Sequence, residues 1–269
     1  MKKAVLVGIN KYDMPGCELG GCVNDVTNVR DILLKYFGFT TKEIRLLVDE
    51  RATKKNIMAR IAWLVGGAKR GDSLLFHFSG HGSQIVDRDG DELKDRMDEI
   101  LCPHDMDWDG TFIVDDELRK AVASVPAGVH LEVLLDACHS GTGTRELTAI
   151  GGLPQELSFR IRFLQPPADI ACRADDDMEV RKLLRGTNPL NHVLFAACRD
   201  NQTSADAYIG GSYNGAFSYY LCKRLRETHG NITRAELLTR VRASLKFNGF
   251  SQVPQLEAAS AEKKKKVME

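Results

Sequence analysis

Short apolar runs alternate with amphipathic stretches along the 269 residues. "AVLVGIN" (4–10), "EIRLLVDE" (43–50), "DSLLFHFSGHG" (72–82), "HLEVLLDAC" (130–138) and "HVLFAAC" (192–198) read as strands. Between them, apolar residues recur at helical spacing. Residues 22–38 place Val26, Val29, Ile32, Leu33 and Phe37 on one face, and Gly38 stops the run. Residues 52–67 form a second helix capped by Thr53, and helices are also predicted at 114–125, 212–228 and 233–247. "SQVPQLE" (251–257) reads as a last short strand or an extended segment. Strand–helix alternation predicts an α/β fold, a mostly parallel sheet with helices on both faces, whose reactive groups gather at the carboxyl ends of the strands. Two strand ends carry such groups: "HFSGHG" and "LLDACHSG".

Residues 142–191 interrupt the rhythm with a Pro-Pro pair, an acidic triplet and several arginines. They divide one domain (1–257) into a larger part (1–141) and a smaller one (192–257), joined by a long linker. The tail, 258–269, with four consecutive lysines, is expected to be disordered and solvated.

Composition narrows the function. Thirty-seven basic and 37 acidic residues balance, which gives nucleic acid no electrostatic footing as a partner. No apolar run approaches the roughly 20 residues of a membrane span, and the N-terminal apolar stretch is too short for a signal peptide. A cytoplasmic location is expected. Seven scattered cysteines without a CxxC argue against a disulfide framework and a structural zinc site. No GxGxxG or GxxxxGK[ST] supports nucleotide binding.

Cys138 is the strongest candidate for chemistry. A free cysteine is most often a small buried apolar residue. Here Asp136 places a charge inside an apolar strand, which is costly unless it is paired or working. The turn after it puts the thiol where backbone N–H groups can face a developing oxyanion. A thiol nucleophile needs a base. His139 points to the opposite face of an extended chain, and His77 points from the sheet into the core. His81, between two glycines, is the best placed.

"HFSGHGSQ" and "LLDACHSG", 57 residues apart, together resemble the His–Cys pair of the caspase superfamily, and most closely the metacaspases. "AVLVGINKY", "LGGCVNDV" and "MDEILCPHDMDWDGTFIVDDEL" resemble further segments of that family. The match is close over 3–141 and looser over 192–257. The resemblance implies a caspase-like three-layer sandwich around a six-stranded, mostly parallel sheet. It implies a cysteine endopeptidase with Cys138 as nucleophile, His81 as general base and acid, and the N–H groups of Gly82 and Cys138 as oxyanion hole. It also implies cleavage after arginine or lysine through an acidic pocket of Asp25 and Asp136, with Cys22 and Ser79 at other pocket positions. A carboxylate pair suits a guanidinium. The alternative on the same fold is a catalytically idle scaffold or signalling protein, against which the intact His81–Cys138 pair speaks.

Calcium is the cofactor the resemblance implies, at Asp98, Asp115 and Asp116. Independently, "DMDWDGTFIVDD" places acids at positions one, three, five and twelve and glycine at six, close to an EF-hand loop. A fourth family aspartate is replaced by Arg145, beside Glu146. Either three carboxylates bind calcium with carbonyls or waters, or Arg145 pairs with Asp98 and Asp116 in place of the metal. The linker is a candidate activation site, cut by the enzyme itself or by another protease, with Arg160, Arg162, Arg173, Arg181, Lys182 and Arg185 as cut points. The expected partners are protein substrates with a basic residue before the cut. With the first strand near residue 4, a prokaryotic-type monomer without a prodomain is expected.

Overall fold

The computed structural model describes residues 1–86, 97–138, 159–171, 192–199 and 202–269. A six-stranded sheet forms the middle layer: β1 (Lys2–Gly8), β2 (Ile44–Val48), β3 (Ser73–Ser79), β7 (His130–Asp136), β9 (Val193–Ala196) and β12 (Gln255–Glu257). Its order is β12-β9-β7-β3-β1-β2. Every pairing is parallel except β12 with β9. The fold class expected from the alternation is therefore the one observed, and 255–257 is a strand.

Period-two alternation explains the layers. Val5, Val7, Leu74, Phe76, Leu131 and Val133 join one apolar cluster, with Ile57, Ile61 and Leu64 of α2 (Lys54–Val65) and Val122 of α3 (Asp115–Ala123). Their neighbours Ala4, Leu6, Leu75 and Leu134 face the other way. There they meet α1 (Cys22–Tyr36), α4 (Ala216–Glu227) and α5 (Arg234–Phe247). The side of β7 that carries Leu134 also carries Glu132 and Asp136. Asp136 is thereby aimed at the layer formed by α1 and α4. Thr53 caps α2 as expected, accepting from the Asn56 N–H at 3.2 Å.

Two three-stranded antiparallel sheets sit at the strand ends. One joins β4 (Gly82–Val86), β5 (Met97–Leu101) and β6 (Ile113–Val114); the other joins β8 (Arg160–Ile161), β10 (Ala205–Ile209) and β11 (Ser212–Gly215). The second corrects the helix expected at 212–228, which begins only at Ala216. "IGGS" is a two-residue hairpin turn, with Gly210 and Gly211 at φ 66° and 92°, and it forces 212–215 back along β10.

The C-terminus also departs from expectation. Residues 258–269 fold back, with a short helix α6 (Ser260–Lys263) and with Val267 and Met268 buried. The reason is a charge inside the sheet: buried Glu132 accepts from Arg234 Nε at 3.0 Å and from the Met268 N–H. Arg234 is itself buried and donates to the backbone carbonyls of Glu262 and Glu269. The tail supplies the partners this ion pair needs. No helix among the described residues is long and apolar enough to cross a membrane.

Candidate active site

β3 and β7 run in register, with Ser79 opposite Asp136, so the two motifs end side by side. The Gly80 N–H donates to the Asp136 carbonyl at 3.3 Å, tying the ends of the two strands together. Beyond them lie His81 and Cys138, both buried. The His81 backbone N–H donates to the Tyr12 hydroxyl at 2.8 Å, and the two rings lie 5.0 Å apart. His81 Nε2 lies 2.8 Å from the Cys17 carbonyl oxygen, which can only accept, so Nε2 carries the proton. The neutral ring then has its lone pair at Nδ1, which has no partner among the described residues. Burial drives the His81 pKa down to about 4 despite the Cys17 hydrogen bond, so the imidazole is neutral at physiological pH. Cys138 Sγ lies against Ser204, accepting from its N–H.

Below these groups is a pocket of three carboxylates. Asp25, in the first turn of α1, accepts from Ser79 Oγ at 2.8 Å and from the Gly215 N–H at 3.0 Å. Asp136 accepts from Ser204 Oγ at 2.7 Å and from the Ser218 N–H, in the first turn of α4, at 3.0 Å. Asp206, on β10, accepts from the N–H groups of Gly20 (2.7 Å) and Gly21 (2.9 Å). All three are fully buried. Cys22 is buried beside them, and desolvation pushes its thiol pKa far up, so it is a neutral wall.

The pocket is filled by the chain's own Arg162. Its Nη2 donates to Asp25 Oδ2 at 2.8 Å and to Asp206 Oδ1 at 2.9 Å. Its Nη1 donates to Ser79 Oγ at 2.7 Å and to the Asp136 carbonyl at 3.1 Å, and lies 3.2 Å from Asp136 Oδ1. One guanidinium cannot offset three buried carboxylates. Desolvation therefore still raises Asp25 to about 7, although Arg162 pulls it down.

The backbone of Arg162 is held as firmly as its side chain. Its carbonyl oxygen accepts from the N–H groups of Gly82 (3.0 Å) and Cys138 (3.2 Å), and its N–H donates to the Ser204 carbonyl at 3.2 Å. On one side, β8 pairs with β10. On the other, the Leu164 N–H donates to the Gly82 carbonyl at 2.9 Å, and Ser83 Oγ donates to the Leu164 carbonyl at 2.5 Å. Residues 160–164 thus cross the ends of β3 and β7 in an extended form, with the Arg162 carbonyl at the two N–H groups.

The structure thus brings together His81, Gly82, Cys138, Asp25, Asp136, Cys22 and Ser79. Sequence reasoning missed Asp206, which looks like any polar residue of a short strand; the only local hint is the Gly20–Gly21 pair that grips it. A Cβ on Gly21 would lie 2.4 Å from Asp206 Oδ1. Arg162 was expected as one of several cut points, not as the pocket's occupant.

The acidic segment is less gathered. Asp105 accepts from the Lys54 N–H at the start of α2, and Asp107 from Asp109 and Thr111 of its own turn, so the EF-hand-like spacing serves local hydrogen bonds. Asp115 and Asp116 pair with Arg119, and Asp116 also with Lys120. Asp98 is buried on β5, which pairs with β6, and α3 opens with Asp115 and Asp116 directly after β6. Among the described residues, no group of three or more metal-binding side chains occurs. His139, Arg145, Glu146, Arg173, Arg181, Lys182 and Arg185 lie outside the described residues.

Comparison with known proteins decides the family. Residues 2–145 match the model of the metacaspase, peptidase C14 domain. The chain belongs to the metacaspase family. Metacaspase-1 of Pyricularia oryzae is 34% identical over 96% of this chain and 72% of its own length. Metacaspase-1A of Aspergillus fumigatus is 33% identical over 96% and 68%. Among solved structures, a Geobacter sulfurreducens protein superposes with a TM-score of 0.72 at 24% identity, covering 99% of this chain and 98% of its own. Caspase-1 of Spodoptera frugiperda superposes with a TM-score of 0.61 at 16% identity, covering 96% and 86%. The fold is caspase-like, and this metacaspase is a cysteine endopeptidase acting on protein substrates.

Proposed function

We propose that this metacaspase cleaves after arginine, that Cys138 and His81 carry the chemistry, and that the Arg162–Phe163 bond is its own first substrate. The observation that carries the reading is the Arg162 carbonyl held between the N–H groups of Gly82 and Cys138 while its side chain fills the acidic pocket. That is the arrangement an oxyanion hole requires.

His81, with its lone pair at Nδ1, takes the thiol proton. The Cys138 thiolate attacks the carbonyl carbon of Arg162, and the oxyanion is met by the two N–H groups. The C–N bond to Phe163 breaks as the imidazolium returns the proton to the leaving amine. Water, deprotonated by His81, hydrolyses the thioester to the Arg162 carboxylate and restores the thiol. Until Arg162 leaves, no other arginine can enter, so the intact chain is a zymogen. Among the described residues, the upstream strand is held by two β8–β10 residue pairs, the Arg162 N–H on the Ser204 carbonyl, the Arg162 side chain in the pocket and the Arg160 donation to the Glu18 carbonyl.

The test is mass spectrometry of the purified protein, together with fluorogenic peptides ending in Arg, Lys or Asp. A new N-terminus at Phe163 and cleavage after Arg, both lost in Cys138→Ala, are expected. Cleavage after Asp, or activity surviving in Cys138→Ala, would refute the reading.

Calcium activation is part of the proposal. Asp98, Asp115 and Asp116 supply the hard oxygen donors calcium prefers, and the metal would have to displace Arg119 and Lys120 from them. A melting temperature and an Arg-cleavage rate identical in calcium and in chelator would remove it. A cytoplasmic monomer completes the reading; the three-residue edge strand β12 offers a partner little to pair with.

A further inference from the structure

We propose that this metacaspase, once cut, is also a peptide ligase, with the new Phe163 amine as its resident acceptor and Arg-ended acyl groups as its donors. This activity rests on the proposed cut between Arg162 and Phe163 and on Cys138 as nucleophile.

The anchors of the crossing strand divide at that bond. Upstream, Arg160 is exposed and Ile161 half-buried, and the hold comes from the Arg162 side chain and the short pairing with β10. Downstream, Phe163 pairs with Gly82, the Leu164 N–H donates to the Gly82 carbonyl at 2.9 Å, and the Leu164 carbonyl accepts from Ser83 Oγ at 2.5 Å. Leu164, Pro166 and Ile170 are buried. Leu164 and Ile170 belong to the apolar cluster that holds Ile85 of β4 and Ile100 of β5, and Ile170 lies in the short helix Ala168–Ala171. None of these downstream contacts involves the bond that breaks. Hydrolysis gives the upstream end a new carboxylate beside three others, which favours its departure. The downstream end gains only an amine.

That amine stands where it was made, one bond from the carbonyl that the Gly82 and Cys138 N–H groups hold. When another Arg-ended peptide acylates Cys138, its carbonyl takes the same two donors. Phe163, half-buried, turns aside while the donor's leaving group departs, and the chain from Leu164 onward stays docked. On its return, the Phe163 nitrogen occupies the place that hydrolytic water would need. A well-oriented neighbouring nucleophile reaches an effective concentration on the order of 10⁵ M. The nitrogen attacks the thioester carbon: a C–N bond forms and the C–S bond to Cys138 breaks. His81 Nδ1 takes the amine proton and returns it to the thiolate. Nothing is oxidised, and the step is the reverse of the cut, so the same groups serve both directions.

The test is intact-mass analysis of the fragment that begins at Phe163, after the cut protein is incubated with an acetyl-capped Arg-coumarin peptide between pH 6 and pH 9. The fragment should gain the mass of the acetyl-peptidyl group, located on the Phe163 nitrogen by fragment-ion sequencing, in at least about one chain in ten at pH 9. The gain should rise through about pH 8, where an α-amine loses its proton, and vanish after iodoacetamide treatment. Ser83→Ala should lower the ratio of ligated to hydrolysed product by about threefold or more. Coumarin release without a mass gain at any pH, or a ratio that Ser83→Ala leaves unchanged, would overturn the ligase and leave the protease standing. A protein that never yields an N-terminus at Phe163, or that releases coumarin without Cys138, would remove the parent reading and the ligase with it.

Discussion

Removing Arg162 tests how much the plug holds the intact chain together. In a Cys138→Ala background, so that the compared chains stay uncut, Arg162→Ala deletes the cation of a fully buried cluster and leaves Asp25, Asp136 and Asp206 facing one another. Breaking a buried ion pair from one side costs about 3–5 kcal/mol. At about 2–4 °C per kcal/mol for a chain of this size, the melting temperature should fall by at least roughly 6 °C. The sign of the pH dependence follows from Asp25. Its pKa is raised from 3.8 to about 7 with Arg162 present, and losing the guanidinium raises it further. A carboxyl with a raised folded pKa stabilises the fold fully below its unfolded pKa and loses that contribution as pH rises through the folded one. The deficit of Arg162→Ala should therefore be larger at pH 8 than at pH 6. Millimolar agmatine, a guanidinium on a short alkyl chain, should restore part of the loss in Arg162→Ala and leave the parent unmoved. Differential scanning fluorimetry reads all of this. A deficit that is absent, or that does not grow with pH, would refute the idea that the guanidinium is the counter-charge of this pocket.

Other consequences are local. Gly21→Ala should displace Asp206, because the added Cβ would sit 2.4 Å from Oδ1 and 2.6 Å from the Asn214 backbone; kcat/KM for Arg peptides should fall, and an unchanged value would show that Asp206 takes no part in the pocket. His77 is buried and its pKa is driven from 6.5 to about 4 by desolvation, so its contribution is intact above pH 6.5 and lost as pH falls toward 4. That loss amounts to about 3 kcal/mol. His77→Leu should accordingly narrow the drop in melting temperature between pH 7 and pH 5, and an unchanged drop would show that His77 does not titrate there. Deleting residues 260–269 strips Arg234 and Glu132 of their backbone partners and should lower the melting temperature by several degrees; an unaltered melt would mean the tail merely rests on the surface.

The sequence by itself determined the layers and the reactive pair. Alternation along β1, β3 and β7 assigns each residue a face from neighbours one or two positions away, and it makes Asp136 conspicuous as a charge where an apolar residue belongs. The motifs that follow β3 and β7 are equally local, so His81 and Cys138 are legible as a pair once both strands are assigned to one sheet. Only the tertiary structure decided what surrounds them. Asp206 is 181 residues from Asp25, and its carboxylate matters because the Gly20–Gly21 backbone and Arg162 converge on it; nothing in "SADAYIGGS" carries that. The "IGGS" turn that brings Asp206 there abuts the helix the sequence predicts at 212–228, because Ser212–Gly215 is a strand only through its pairing with β10. The tail was read as solvated because four lysines are, while the two residues that anchor it, Val267 and Met268, answer to a buried Glu132 on a distant strand. Arg162 was one basic residue among six candidates in the linker. What singles it out is a long-range electrostatic fact: three carboxylates buried at one point need a cation, and the chain itself provides one.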